Sequence, residues 1–463
     1  MFKKVLVANR GEVALRVISA CRELGIQTVA VYSQADADLP HVRFADEAVC
    51  IGPARPSASY LNIPSVISAA EVTGVDAVHP GYGFLSENPK FAEVCDACGI
   101  SFIGPAPELI RLMGDKSRAR ARMKEAGLPV LPGSDGPVNS PEEAAEWAAA
   151  IGYPVMLKPV AGANGRAMRC VQEPCEMPAA FEATRKEAAH GCFCDGVYVE
   201  KFIPRARHIE FQVLMDNYGD AAHLGERECS VQRNYRKLLE EGPAVSITSE
   251  RRQQLGVSLA RVLGELGYTN ACSLEFLMDE EKHLFFIEAN TRIQAEDPVT
   301  EMLAGIDIVK TQILLAAGAS LSEIVRTPVN LRGHSIQCRI IAEDPVRFTP
   351  ASGKVQSWQL PGGTGVRVDT GAYVGYALGP YSDPLLAKLI VHGRNRDEAI
   401  NRMLRALDMF VIEGVKTNIP LHKRILADED FRSGEYHVGF LDRFLPHRAT
   451  PRTAPAALAP KIA

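Results

Sequence analysis

Ile287-Glu288-Ala289-Asn290-Thr291-Arg292-Ile293-Gln294-Ala295-Glu296 alternates apolar and polar side chains through most of its length. Read as an extended strand, it sends Glu288, Asn290, Arg292, Gln294 and Glu296 to one face, and Ile287, Ala289, Ile293 and Ala295 to the other. A half-exposed edge strand would show the same alternation. The order carboxylate, amide, guanidinium, amide, carboxylate, at roughly 6–7 Å intervals, argues instead for a row that holds a hard cation at one end and an anion at the other. Leu274-Glu275-Phe276 supplies a further carboxylate inside an apolar strand. Alone, Glu275 reads equally well as a surface residue. Beside Glu288 and Asn290 on a neighbouring strand, it completes an oxygen donor set for Mg²⁺ with space for phosphate oxygens.

Working outward, His208-Ile209-Glu210-Phe211-Gln212 repeats the alternation and places His208, Glu210 and Gln212 on one face. The segment from Arg227 to Lys237 is dense in donors (Arg227, Gln232, Arg233, Arg236, Lys237) and reads as an anion pocket between strands of the site. Lys158 ends an apolar strand and precedes Val160-Ala161-Gly162-Ala163-Asn164-Gly165-Arg166, a loop able to wrap phosphates with backbone N–H groups. A Walker lysine follows its glycine loop, whereas this one precedes it, so a P-loop is excluded.

Residues 4–103 alternate strands (Lys4–Val7, Thr28–Val31, Ala77–Val78, Phe102–Ile103) with helices, one of which carries Val13, Val17, Cys21 and Leu24 on a single face. That pattern predicts a parallel, doubly wound sheet. The first turn, Ala8-Asn9-Arg10-Gly11-Glu12, lacks the glycine spacing of a dinucleotide site. A helix around Asp115–Ala126 then leads to a boundary at Leu128–Gly133. The next module, 131–203, has two strands, Val155–Lys158 and Val197–Glu200. Antiparallel strands follow over 204–345, with long helices at Glu250–Leu266 and Val299–Ala317.

The 463 residues are 46% hydrophobic and 23% charged, with a net charge of -5. This suits a globular enzyme of roughly two to four domains without a nucleic-acid surface. No apolar run of about 18 residues predicts a membrane span, and the N-terminal apolar run breaks at Asn9, too early for a signal peptide. The 11 cysteines are odd in number and scattered, which suits a reducing cytoplasm. Cys95 and Cys98, and the group Cys170, Cys175, Cys192 and Cys194, read as small buried hydrophobes rather than redox or zinc centres.

From residue 2 to about 445 the chain resembles the biotin carboxylase subunit of acetyl-CoA carboxylases and the matching domain of pyruvate and acyl-CoA carboxylases, which are ATP-grasp enzymes. The motifs that carry the resemblance are Val7-Ala8-Asn9-Arg10-Gly11-Glu12, His79-Pro80-Gly81-Tyr82-Gly83-Phe84-Leu85-Ser86-Glu87-Asn88, Asn290-Thr291-Arg292-Ile293-Gln294, Pro298-Val299-Thr300-Glu301 and Arg332-Gly333-His334. It implies an α/β and α+β fold in six parts. These are a Rossmann-like N-terminal domain over 1–113, a helical linker over 114–130 and an ATP-grasp lid over 131–203. A catalytic core over 204–333, an antiparallel-sheet C-terminal domain over 334–445 and a disordered tail over 446–463 follow.

Roles follow from the same resemblance. ATP is implied to meet Lys116, Lys158, Gly162, Gly165, Glu200, Lys201, Ile203, His208, Gln232, Leu277, Glu275 and Glu288. Two Mg²⁺ (or Mn²⁺) ions are implied at Glu275, Glu288 and Asn290. Bicarbonate is implied at Lys237, Arg292, Gln294, Ala295 and Glu296, with Glu296 as general base. Biotin is implied at Tyr82 and Arg339. No Met-Lys-Met biotinylation motif is present, so the expected partners are a separate biotin carboxyl carrier protein and carboxyltransferase subunits, with a homodimer expected by resemblance.

The chain also departs from the pattern. The family's five-glycine loop followed by Arg-Gly-Met-Arg reads here Ala161-Gly162-Ala163-Asn164-Gly165 and Arg166-Ala167-Met168-Arg169. Asn234, Tyr235 and Arg236 replace Arg, His and Gln, and Ala295 and Asp297 replace Val and His. A Cβ at any loop position needing positive φ costs of order 1 kcal/mol, so weaker ATP binding or slower turnover is expected. The competing readings are a non-catalytic regulatory homologue and another ATP-grasp ligase such as a carbamoyl-phosphate synthetase half.

Overall fold

A computed structural model describes residues 1–160, 167–191 and 196–444. The glycine-loop residues 161–166, including Gly162 and Gly165, lie outside the described residues, as do Cys192, Cys194 and the tail.

The N-terminal region opens with strand β1 (Lys4–Val7), helix α1 (Gly11–Glu23), β2 (Gln27–Ser33), β3 (Glu47–Gly52), β4 (Ala77–His79) and β5 (Ser101–Phe102). These form a parallel sheet in the order β3-β2-β1-β4-β5. The order reverses between β1 and β4, and open α/β sheets form clefts at that point. Here the turn after β1 meets the turn after β4: Asn9 Nδ2 donates to the carbonyls of Pro80 and Tyr82, both at 2.8 Å. Gly81 has φ +64, and a Cβ there would lie 2.8 Å from Asn9 Nδ2, so glycine is required.

Helix α2 (Lys116–Glu125), capped by Asp115 accepting from the Arg118 N–H, leads into the lid. The lid contains α3 (Pro141–Ile151), β6 (Val155–Pro159), β7 (Arg169–Val171), α4 (Met177–Gly191) and β8 (Val197–Lys201). Its sheet has three strands, β7-β6-β8, where the sequence pattern shows two; β7 is too short to register as a periodic run. Val155, Leu157, Val171, Phe181 and Val199 give the lid its own apolar core.

The centre is one eight-stranded antiparallel sheet. Its strands are β9 (Arg207–Met215), β10 (Ala221–Arg233), β11 (Arg236–Gly242), β12 (Asn270–Met278), β13 (Leu284–Asn290), β14 (His334–Ile341), β15 (Val366–Thr370) and β16 (Leu385–Gly393). They run in the order β13-β12-β9-β10-β11-β14-β16-β15, so the sheet takes strands from both sides of residue 333. Helix α5 (Ser249–Glu265) follows β11. The expected single helix Val299–Ala317 is two, α6 (Asp297–Ala304) and α7 (Ile308–Ala316), because Gly305 takes the left-handed conformation and ends the first. Helix α8 (Arg396–Met409) covers β14 and β16.

Cys95 is buried as expected, but Cys98 and Cys175 are exposed, because Cys98 caps its helix and Cys175 sits in a surface turn. All nine described cysteines are free. No described helix is long and apolar enough to cross a membrane.

Glu241 on β11 joins the sheet to the C-terminal helices. It is fully buried and receives His334 Nε2 at 2.6 Å, Arg396 Nε at 2.8 Å and Arg396 Nη2 at 2.9 Å, together with the Tyr436 hydroxyl. Burial pushes its carboxyl up, but the hydrogen bond and charge of His334 and the charge of Arg396 outweigh burial and hold it well below the usual range. A depressed folded-state pKa contributes stability above the unfolded value and loses it as pH falls. Glu241→Gln is therefore expected to destabilise the protein by about 3 kcal/mol at pH 7. In denaturant titrations the gap from wild type should close below about pH 4.5.

Candidate active site

Strand β13 ends at Asn290, so the expectation of one extended strand through Glu296 is corrected. Arg292, Gln294 and Glu296 instead come from the loop that enters α6. Both sets of side chains along this segment are buried or half-buried, so there is no solvated polar face. The loop turns three polar groups back over β12 and β13, which a flat strand could not do.

Glu275 lies opposite Glu288 in the β12–β13 ladder and opposite Glu210 in the β12–β9 ladder. Lys237, on β11, reaches past β10 to Glu210 on β9 and Glu275 on β12. Its Nζ is 2.9 Å from Glu275 Oε1 and 2.7 Å from Glu296 Oε1, and it also contacts Glu210. Asn290 Nδ2 and Gln294 Nε2 donate to the same Glu275 oxygen at 2.8 and 2.9 Å. Arg292 Nη2 donates to Asn290 Oδ1 at 2.9 Å. The four side chains Glu275, Glu288, Arg292 and Glu296 thus converge on one cleft.

Charge in the cleft is distributed by competition. Burial disfavours ionised Glu296, but Lys237, Arg339 and Arg227 outweigh it and hold the carboxyl well below the usual range. Glu275 is depressed in the same way, by Lys237 and His208 against burial. Arg339 donates to Glu296 Oε2 at 2.8 Å and to Glu240 Oε1 at 2.5 Å. One guanidinium cannot fully compensate two buried acids, and burial pushes Glu240 up instead.

On the lid side, Lys116 pairs with Glu288 and Lys158 with Glu200. Burial and the neighbouring charge of Lys158 pull the Lys116 ammonium down to about 8. His208 Nε2 is 2.8 Å from Glu275 Oε2, Gln232 Nε2 is 3.1 Å from His208 Nδ1, and Leu277 is the ladder partner of His208. Ile203 is half-buried just beyond β8. Lys201 turns away: its Nζ donates to the carbonyls of Gly152 and Tyr153 at 2.8 and 3.2 Å, so only its backbone faces this region. The Ala295 carbonyl accepts from Gln337. The Tyr82 hydroxyl is held by Glu12, and Tyr82 lies close enough to Arg339 for each to shift the other's titration.

The donor-rich run does not form one anion pocket. Arg227 is fully buried among acids and amides, Arg233 forms a two-pronged pair with Glu343, and Arg236 is exposed. Alternation along β10 and β11 sends these donors to different neighbours: Lys237 and, from beneath, Arg227 reach the acids of the cleft, whereas Arg233 and Arg236 do not. Residues that sequence reasoning does not place include Glu87, which accepts from Arg292 Nε at 2.9 Å, and Glu240. Glu87 falls inside the His79–Asn88 motif, which carries no sign of its partner. The adjacent acids Glu240 and Glu241 on an apolar strand are the signal that could have marked Glu240 as a buried partner of a cation.

Comparisons with known proteins identify the family. Residues 1–110 match the family model for the biotin carboxylase N-terminal domain, and residues 337–443 match that for the C-terminal domain. Between them, residues 115–324 match the carbamoyl-phosphate synthase L chain ATP binding domain. The chain is 50% identical over 446 residues to biotin carboxylase 1 of Bacillus subtilis, covering 96% of this chain and 99% of that one. The chain belongs to the biotin carboxylase family. A pyruvate carboxylase subunit from Methanothermobacter thermautotrophicus is 49% identical over 445 residues, 96% of this chain and 90% of that one. The biotin carboxylase domain dimer of Hydrogenobacter thermophilus 2-oxoglutarate carboxylase, solved with MgADP, ADP and bicarbonate, matches at TM-score 0.93 and 47% identity. That match covers 96% of this chain and 98% of the solved one. As a biotin carboxylase family member with the ATP-grasp fold, the chain is an ATP-dependent ligase. The non-catalytic reading is disfavoured, and likeness to carbamoyl-phosphate synthetase is confined to the ATP-binding region, flanked by biotin carboxylase domains.

The β10–β11 hairpin that carries Lys237 turns through Asn234 and Tyr235, with φ of +49° and +60°. Such turns favour Asn-Gly, and tyrosine there bears a steric cost. Tyr235→Gly is expected to stabilise the protein by about 1 kcal/mol, seen as a raised melting temperature.

Proposed function

We propose that this chain uses ATP and bicarbonate to carboxylate biotin through carboxyphosphate, as the first half-reaction of an acyl-CoA or related carboxylase. The observation that carries the reading is Lys237 bridging Glu275 and Glu296, while Arg339 takes the second oxygen of Glu296. Metal-side and anion-side acids thereby share one cation.

Glu275, Glu288 and Asn290 fit a hard cation in that each offers oxygen and the two acids face each other across a ladder; the lysines paired with those acids would have to yield to the ion. The acids and Asn290 would hold magnesium or manganese, two ions in all, which would supply neutralisation of charge on a transferred phosphoryl group. Lys116 and Lys158 exchange their carboxylate partners for nucleotide phosphates. Glu200, the backbone of Lys201, Ile203, His208, Gln232 and Leu277 line the nucleotide. Lys237, Arg292, Gln294, Ala295 and Glu296 surround bicarbonate. Glu296 is a weak base while two cations hold it. An anion that draws Lys237 or Arg339 toward itself restores basicity to Glu296 at the moment bicarbonate must attack phosphorus. Arg339, beside Tyr82, then faces the biotin ureido oxygen and stabilises its developing negative charge.

The domain divisions at 113, 130, 203 and 333 are part of this proposal, with 131–203 closing over the nucleotide and excluding water from the intermediate. So are a homodimer, a cytoplasmic setting suited to free cysteines, and biotin delivered on a separate carrier protein that also meets carboxyltransferase subunits. Relatives of almost equal identity are named for different carboxylases, which suits an acceptor chosen by the partner rather than by this chain.

ATP hydrolysis should require both bicarbonate and free biotin, and Glu296→Gln should lower kcat by about 100-fold or more with ATP KM little changed. Turnover indifferent to bicarbonate would refute the proposal. Ala167, next to the altered loop, has φ +61. Restoring glycine at Ala161, Ala163, Asn164 and Ala167 should improve ATP KM or kcat by up to about fivefold; unchanged constants would show that the loop substitutions carry no cost.

A further inference from the structure

Arg227 lies under the anion side of the cleft with no exposed surface. Its Nη2 donates to the side-chain Oε1 of Gln294 at 2.7 Å. Asp297, at the start of α6 and 4% exposed, accepts the main-chain N–H of Gln294 through Oδ2 at 2.8 Å. Its other oxygen, Oδ1, has no hydrogen-bond partner and lies 3.4 Å from Arg227 Nη1. Gln294 is therefore gripped twice, once at its backbone and once at its amide, by two members of one buried ion pair.

The grip has a chemical consequence. A guanidinium has only donors, so it can be satisfied by the amide oxygen and not by the amide nitrogen. Arg227 thus fixes which way round the Gln294 amide stands and leaves its Nε2 facing the cleft. One Nε2 hydrogen goes to Glu275 Oε1 at 2.9 Å. The second is available to an acceptor in the cleft, and an anion has acceptors only. A flipped amide would present its oxygen to that anion and repel it.

We propose that Asp297 and Arg227 are positioning residues for bicarbonate, acting through Gln294: their ion pair locks the amide with its donor toward the anion. This rests on the bicarbonate reading of the cleft given above. Asp297 is suited to the task by its isolation. Burial pushes its carboxyl up to about 6 even with Arg227 alongside, so the charge is held by Arg227 and the Gln294 N–H rather than by solvent.

The test is steady-state kinetics on the full-length protein with Asp297→Ala and Asp297→Asn, alongside thermal melts. Asp297→Ala is expected to raise bicarbonate KM by about tenfold, while ATP KM at saturating bicarbonate stays within about twofold of wild type. Asp297→Asn keeps the shape and the acceptor for the Gln294 N–H but lacks the charge opposite Arg227, and should raise bicarbonate KM by about threefold. Unchanged bicarbonate KM in a folded variant overturns the proposal, as does a parallel rise of both KM values. If Asp297→Ala does not fold, Asp297→Asn decides on the same criteria. A wild type whose turnover ignores bicarbonate would overturn the reaction and this assignment with it, whereas an active wild type with insensitive variants overturns the assignment alone.

Discussion

Lys237 is a single ammonium shared among Glu210 of β9, Glu275 of β12 and Glu296 of the loop after β13. Buried acids this close repel one another, and losing one partner of such a cluster costs several kcal/mol because a charge is left uncompensated. The strand order must therefore bring β11 within a lysine's reach of β12, and the loop after Asn290 must fold back rather than continue as a strand. Burial lowers the Lys237 pKa and the flanking carboxylates more than restore it, so the side chain stays charged throughout.

The same rule recurs around the cleft. Lys116 pairs with Glu288, Lys158 with Glu200, Arg292 with Glu87 and Arg339 with Glu240. The cleft neutralises its own charges, and most of these pairs join elements distant in sequence. Arg292 with Glu87, and Lys388 with Glu12, fasten the parallel N-terminal sheet to the antiparallel centre. The module over 131–203, by contrast, packs around its own apolar cluster and holds the Lys158–Glu200 pair within itself, while the linker before it meets the centre through Lys116 with Glu288 and the bridge of Val130 with Phe286.

Much of the organisation is legible in the residues alone. Periodicity marks β1, α1, β2 and β4 and hence the parallel sheet, and the linker helix is readable from its pattern and position. The carboxylates of the cleft stand out because charge inside apolar strands is costly unless it is used. Less legible are features set by single backbone conformations. Gly305 divides one apparent helix into α6 and α7, and the strand stops at Asn290 although the alternation continues. Short β7 has too few residues to carry a period.

The amino-acid sequence by itself determined which chemistry was available: acids for a hard cation, lysines for phosphates, and an arginine–glutamine–glutamate set for a small anion. It also determined the family, through motifs whose side chains have few substitutes. Only the tertiary structure decided which donors in the basic run belong to the cleft, since Arg227, Arg233, Arg236 and Lys237 differ in the neighbours that their strands meet and not in local composition. It likewise decided the partners Glu87 and Glu240 and the orientation of the Gln294 amide, because electrostatic pairing is settled by distance in space, and residues 87 and 292 become neighbours only when two sheets are assembled.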